Sequence, residues 1–221
     1  MINSGLMWLV VAWLGYFVLH SMLASLAVKC WVAQHFPEWM PGYRLFFNFV
    51  AVVSLAIPLY LTWAIGGETV FAWKDGWQWL GNSLAVVAVI GFFYSLRHYD
   101  GSEFLGLRQL KEGEQRVEDQ EHFCLSPLHQ HVRHPWYFFG LILIWTRDMT
   151  MAMLVSSVMM TLYFAIGSWF EERKLLRYHG EAYAEYCRRV PGLLPLPWRN
   201  LSKEEARELE QMGNEKDRTP G

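Results

Sequence analysis

Charge is what this sequence lacks over its longest stretches. Leu6 to Val28 runs 23 residues without a formal charge, Trp77 to Leu96 and Met149 to Phe170 have none, and Tyr43 to Ile65 has only Arg44. Such blocks exclude an ordinary soluble domain, because about 20 apolar residues are enough for a helix to cross the hydrocarbon core. Cysteine is equally sparse. Cys30, Cys124 and Cys187 are odd in number and show no paired spacing, which excludes a disulfide framework or a thiolate zinc site. No two of the 17 glycines stand in G-x-G spacing, so there is neither a dinucleotide fingerprint nor a phosphate loop. A net charge of −2 without a basic patch argues against nucleic acid, and no internal repeat is present.

What remains is apolar and aromatic, at 53% and 16% of the residues. The expected fold is all-α, a polytopic membrane bundle of about five transmembrane helices with a C-terminal amphipathic lid. The N-terminal run has no positive flank and is too long for a signal peptide, so it reads as a retained span. Lys and Arg alternate between the connections: Lys29 and Arg44 follow the first span, Lys74 stands alone in the next, and Arg97, Arg108, Lys111, Arg116 and Arg133 fill the third. The excess of such residues on the cytoplasmic side places the N-terminus outside and the C-terminus inside, and so requires an odd number of spans. The expected regions are 1–97, three spans; 98–134, a cytoplasmic loop; 135–199, a helical hairpin with a ligand-binding segment; and 200–221, a charged and partly disordered tail.

The fourth helix is unusual. "PWYFFGLILIWT" is only 12 residues before Arg147 and Asp148 interrupt it. At 1.5 Å per residue it covers roughly 18 Å, less than the bilayer core. It therefore pairs with the following apolar stretch as a hairpin, with Arg147 and Asp148 at the turn and able to pair. Trp8, Tyr43, Trp63, Trp77, Trp79, Trp136 and Trp145 lie near span ends, as interfacial anchors do. In the tail, Ser202 precedes Glu205 as a capping box would require, but no hydrophobic face follows, so a frayed helix is expected.

Three stretches carry ionisable groups at the membrane boundary. In "SPLHQHVRHPWYFFG", Pro135 suits the first position of a helix, leaving Arg133 and His134 beside an N-terminus that attracts anions. Cations snorkelling at the interface account for the same residues, and His129, His131 and His134 also offer metal ligands. In "WFEERKL", Glu171 and Glu172 end an apolar helix; they are either a solvated helix end or a carboxylate pair gripping a ligand. In "RYHGEAYAEYCRRVPGLLP", Tyr183 and Tyr186 share a helical face ahead of Arg188 and Arg189, forming an amphipathic surface segment or a lid.

In this order, "RHPWYFFG", a hairpin of about 30 residues and "EERKLLRYHGEAYAEYCRRVPGLLP" resemble the isoprenylcysteine carboxyl methyltransferase and phospholipid methyltransferase superfamily of integral membrane enzymes. "LHSMLAS" and "EFLGLRQL" look like its nurim-like branch, which includes methanethiol S-methyltransferases. The resemblance implies an S-adenosylmethionine pocket between hairpin and lid, held by Arg133, His134, Pro135, Tyr137, Gly140, Glu171, Glu172, His179, Tyr183 and Tyr186. It makes Arg189, near the acceptor, and His134 the candidate catalytic residues, without a metal. The implied acceptor is a small or hydrophobic thiol. A prenylcysteine carboxylate, a phospholipid amine, or a non-catalytic nurim-like scaffold is the alternative. Membrane lipid is the expected surrounding, in a bacterial inner membrane, and no nucleic acid is expected to bind.

Overall fold

The structure, a computed structural model, describes residues 4–98, 100–113 and 123–215. It is a helical bundle: α1 (Ser4–Ala24), α2 (Leu26–His35), α3 (Met40–Ile65), α4 (Gly76–Ser95), the short α5 (Gly101–Leu105) and α6 (Leu107–Glu112), α7 (Pro135–Trp145), α8 (Met151–Arg189) and α9 (Lys203–Glu215). The strands β1 (Thr69–Phe71) and β2 (Met149–Thr150) pair antiparallel, Thr69 opposite Thr150. Four helices, α1, α3 with the turn before it, α4 and α8, are long and apolar enough to cross a membrane. Their outward residues include Val52, 71% exposed, and Trp63, 79% exposed, which only lipid would solvate without cost. The protein is therefore an integral membrane protein. The 11 residues of α7 rise only about 16 Å.

The chain forms two compact units. One comprises the described residues within Met1–Trp73, Tyr99–Gln120 and Asp148–Met160; the other comprises those within Lys74–His98, Glu121–Arg147 and Thr161–Gly221. In the first unit, Leu9 and Trp13 of α1 bury themselves against Ala152 at the start of α8. The Trp13 indole N–H donates to Ser156 Oγ at 2.9 Å, and Ser156 Oγ lies 2.6 Å from Thr62 Oγ1 on α3. Inside a membrane such polar contacts hold helices together, because the apolar effect does not distinguish a neighbouring helix from lipid. The first apolar block is not one helix. Ser25 donates to Met22 O at 2.7 Å and accepts from the N–H of Val28, ending α1 and capping α2.

In the second unit α4 packs on α7. A Cβ on Gly91 would stand 2.6 Å from the Phe139 ring, so glycine is what permits the approach. Trp136 Nε1 donates to Ser95 Oγ at 2.6 Å across the same contact. The α7–α8 hairpin is similarly close, since a Cβ on Gly140 would lie 3.0 Å from Phe164. Arg147 and Asp148 do not rely on each other as expected. Arg147 donates to Gly81 O at 3.3 Å, while Asp148 accepts from the Trp73 N–H at 2.9 Å. Each side chain thus finds a backbone partner of its own, although the buried Arg147 Nε is left without one.

The tail departs from its expectation of a helix without an apolar face. Ser202 and Glu205 do form the reciprocal capping box, Glu205 N–H to Ser202 Oγ at 3.2 Å and Ser202 N–H to Glu205 Oε2 at 2.8 Å. But Ala206 and Leu209, three residues apart, are buried with Leu201 in a core that also holds Phe123, Leu125, Tyr183, Tyr186 and Val190. One turn on, Asn214 exchanges two 3.0 Å hydrogen bonds with the backbone of Phe123. Two short apolar residues sufficed because the partner surface is aromatic and large. Residues 216–221, where disorder was expected, lie outside the described residues.

Candidate functional site

The site grows from the first residues of α7 and the turn of α8 that follows its apolar stretch. Pro135 occupies the first helical position, and His134, in the N-cap position, offers no side-chain cap. Its ring turns away from the helix end to the two glutamates. The backbone here is paired at long range: the N–H of Arg133 donates to Pro191 O at 2.9 Å, and that of His134 to Gly192 O at 3.1 Å. The orphan donors before α7 are thereby satisfied, and the lid backbone is fixed against them.

Glu172 Oε1 is the focus. Arg133 donates to it from Nε at 2.9 Å and approaches from Nη2 at 2.8 Å, and His134 Nε2 lies 2.9 Å from the same oxygen. The Arg133 Nη1 donates onward to Cys187 O at 3.0 Å and to Val190 O. Cys187 lies in the last turn of α8 and Val190 directly after it, at the negative dipole end that favours a cation. Glu171 Oε2 sits 3.4 Å from His134 Nδ1. The two acids differ in access: the Glu172 side chain is 19% exposed and that of Glu171 48%.

This arrangement sets protonation. Burial works against a charged His134, but hydrogen bonds and charge from Glu171 and Glu172 outweigh it and raise its pKa above the ordinary value. Both ring nitrogens face carboxylates, so the imidazolium is the favoured form. Burial likewise opposes ionisation of Glu172, and the bonds and charges of His134 and Arg133 overcome it, lowering its pKa. Two cations and two anions then balance. The Cys187 thiol is pushed up, chiefly by burial, which makes it a poor nucleophile.

Aromatic rings back the cluster. His134 stacks on Tyr137 with centroids 5.3 Å apart and planes 11° apart, and Tyr137 stacks on Phe164 at 4.9 Å and 5°. Beyond Gly180, whose left-handed φ of 56° breaks α8, the last helical segment turns Tyr183 and Tyr186 into the buried core. Tyr186 donates to His129 O at 2.7 Å, while His179 stacks on Phe123 at 5.1 Å.

The structure thus brings together Arg133, His134, Tyr137, Glu171 and Glu172. Pro135 starts the helix, and Gly140 permits the hairpin's close packing. His179, Tyr183 and Tyr186 form the neighbouring core, and Arg189 is placed elsewhere. It lies on the outer face, bonded from Nη1 to Glu205 at 2.8 Å and from Nε to Glu185. Sequence reasoning missed Phe164 and Gly192; Pro191, which the resemblance placed in the lid, acts with Gly192 through backbone carbonyls. A Cβ on Gly192 would meet Arg133 Nη2 at 3.3 Å. The proline–glycine pair was visible, but nothing in a sequence tells which amide its carbonyls will receive. Among the described residues no group of three or more His, Cys, Asp and Glu is disposed to hold a metal ion.

Chemically, the cluster presents a fixed guanidinium and imidazolium beside a more open carboxylate. Those are complementary to a zwitterion carrying both an ammonium and a carboxylate.

Residues 32–190 match a family described as a protein of unknown function, DUF1295. Among curated proteins the chain is similar to a methanethiol S-methyltransferase of Crocosphaera subtropica, 31% identical over 199 residues, covering 84% of this chain and 73% of that protein. The enzyme of the same name from Pseudomonas deceptionensis is 29% identical over 192 residues, covering 83% and 70%. That from Mycobacterium tuberculosis is 29% identical over 200 residues, covering 85% and 77%. No solved structure matches the chain.

Proposed function

The chain belongs to the DUF1295 family and aligns with methanethiol S-methyltransferases over most of its length, and on that premise we propose that it is an integral membrane methyltransferase that moves a methyl group from S-adenosylmethionine to a small thiol. The observation that carries the reading is the Arg133–His134–Glu171–Glu172 cluster at the start of α7, within the matched region. The C-terminal side of the bundle, rich in Lys and Arg, faces the cytoplasm, where the cofactor is available.

The donor set fits the amino-acid end of S-adenosylmethionine. Arg133 and His134 supply positive charge for its carboxylate, and Glu171, half exposed, an acceptor for its ammonium. The bound cofactor supplies an electrophilic methyl on a cationic sulfonium. The protein's work is then binding, alignment and exclusion of water. His134 serves as a cation, because both its nitrogens face carboxylates and its pKa is raised; it is a poor general base. Tyr137, held between His134 and Phe164, keeps the imidazole plane fixed. A thiol acceptor needs little more than deprotonation, since the thiolate is already a strong nucleophile. Arg189 enters this scheme only by leaving Glu185 and Glu205.

The test is S-adenosylmethionine binding to the detergent-purified protein by calorimetry, followed by transfer of labelled methyl to methanethiol. Glu171→Gln removes the open carboxylate at little structural cost and should weaken binding by about tenfold or more, the worth of one charge-assisted hydrogen bond. Absence of binding in folded, monodisperse protein refutes the proposal. Binding that Glu171→Gln leaves unchanged refutes the assigned site.

A further inference from the structure

Beyond α8 the described chain exposes few large apolar side chains, and two of them fall within five residues: Leu194, 60% exposed, and Trp198, 77% exposed. They flank Pro195 and Pro197: Trp198 sits in a tight turn closed by the Arg199 N–H donating to Leu196 O at 3.0 Å, and Leu194 lies two residues before that turn. Arg199 anchors the turn by donating to the carbonyls of Cys187, at 3.2 Å, and Arg188. A rigid turn that displays tryptophan and leucine to the solvent is costly in water, and the two prolines leave it little freedom to fold them away.

The level of this turn relative to the bilayer can be traced residue by residue. The apolar stretch of α8 ends at the exposed Trp169 and Phe170. Arg173 lies over the Trp169 ring at 3.7 Å, and Lys174 and Arg177 follow, so the headgroup level falls just past Phe170. Glu172, about 3 Å of helix rise beyond Phe170, is bonded to Arg133, and Arg133 and His134 are bonded through their amides to Pro191 and Gly192. Leu194 is two residues further, at most about 7 Å of chain. The turn therefore leaves the protein at the height where hydrocarbon gives way to headgroups.

We propose that the Leu194–Trp198 turn docks into the interfacial layer of the bilayer that the helices span, and so is a lipid anchor for the segment that closes the site. Tryptophan, with an apolar body and an indole N–H, is the residue best suited to that layer. Leu194 inserts beside it, the intervening prolines carry no N–H to leave unpaired there, and the Pro197 carbonyl accepts from Asn200 Nδ2 at 2.9 Å. The lid backbone at Pro191–Gly192 is consequently held from two sides, by Arg133 and His134 within the protein and by lipid outside it.

The experiment uses the full chain in liposomes of phosphatidylcholine and phosphatidylglycerol. Trp198→Cys is introduced with Cys30→Ser and Cys124→Ser and labelled with an environment-sensitive fluorophore; the parent without the added cysteine corrects for labelling of half-buried Cys187. Quenching is read with lipid spin-labelled near the top of its acyl chain and with aqueous iodide. Insertion to the ~5–10 Å depth usual for interfacial segments predicts quenching by the lipid about threefold stronger than for Gln211→Cys on α9, with matching protection from iodide. Leu194→Cys should behave alike, which covers failure of the Trp198 variant to fold. Iodide quenching at both positions equal to that at 211 overturns the proposal. No methyl donor or acceptor is involved, so the result is independent of the activity proposed above.

Discussion

Glu172→Ala removes the acceptor on which Arg133 and His134 converge. One oxygen, Oε1, receives Arg133 Nε at 2.9 Å, Arg133 Nη2 at 2.8 Å and His134 Nε2 at 2.9 Å, and both partners are largely buried. Breaking a buried pair by deleting one member costs ~3–5 kcal/mol, because the other charge is left without compensation. The lower end, about 3 kcal/mol, applies here, since Arg133 keeps the carbonyls of Cys187 and Val190, and His134 keeps Glu171. For a chain of this size that corresponds to a fall in melting temperature of about 6–12 °C, measurable by circular dichroism in detergent. Glu171→Ala, at a half-exposed position, should stay within about 2 °C of the parent. An Arg133→Met, Glu172→Ala double variant should cost less than the sum of the single changes, as coupled partners do. A Glu172→Ala protein that melts within about 2 °C of the parent, or no more readily than Glu171→Ala, would refute the account of the cluster.

The same pair dictates a pH profile. His134, with a pKa raised above its ordinary 6.5, contributes stability that is full below that value and is lost as pH rises through the folded-state pKa. Glu172, lowered from 4.5, contributes stability present above that value and lost as pH falls through its depressed pKa. Melting scans should therefore show a maximum between about pH 4.5 and 6.5, and Glu172→Ala should flatten it; an unchanged profile in that variant would contradict the coupling. At the tail, Leu209→Ala opens a cavity among Phe123, Tyr183 and Tyr186 and should destabilise by about 3 kcal/mol, seen as faster proteolysis. Truncation after Arg199 should be worse still, and a truncated protein as protease-resistant as the parent would show that α9 is dispensable.

Much of the bundle was legible because lipid imposes a simple rule: apolar blocks of the right length with at most one charge became α1, α3, α4 and the first half of α8. Pro135 marked the start of α7, and Gly180 marked the break in α8, for reasons of backbone geometry that hold in any context. Charged residues near the membrane boundary were also informative, since Arg133, His134, Glu171 and Glu172 meet. What stayed hidden depends on partners far along the chain. Ser25 takes a cap that splits an apolar block, Arg189 is claimed by two glutamates, and Ala206 and Leu209 matter only because an aromatic floor awaits them. Backbone acceptors such as Pro191 O have no signature at all.

The pairing of Arg133 and His134 with Pro191 and Gly192, together with Leu201 N–H to Gln130 O at 3.0 Å, has a consequence for biosynthesis. At a ribosome's pace of ~5–20 residues per second, the arginine and histidine emerge several seconds before the carbonyls that will receive them. Insertion of the apolar helices and completion of the ligand cluster are therefore separate events in the life of each molecule. A nascent chain that stalls before Gly192 would already sit in the membrane but hold an unfinished cluster. Proteases that survey the bilayer surface would meet it there, with the His134 amide still without its carbonyl acceptor.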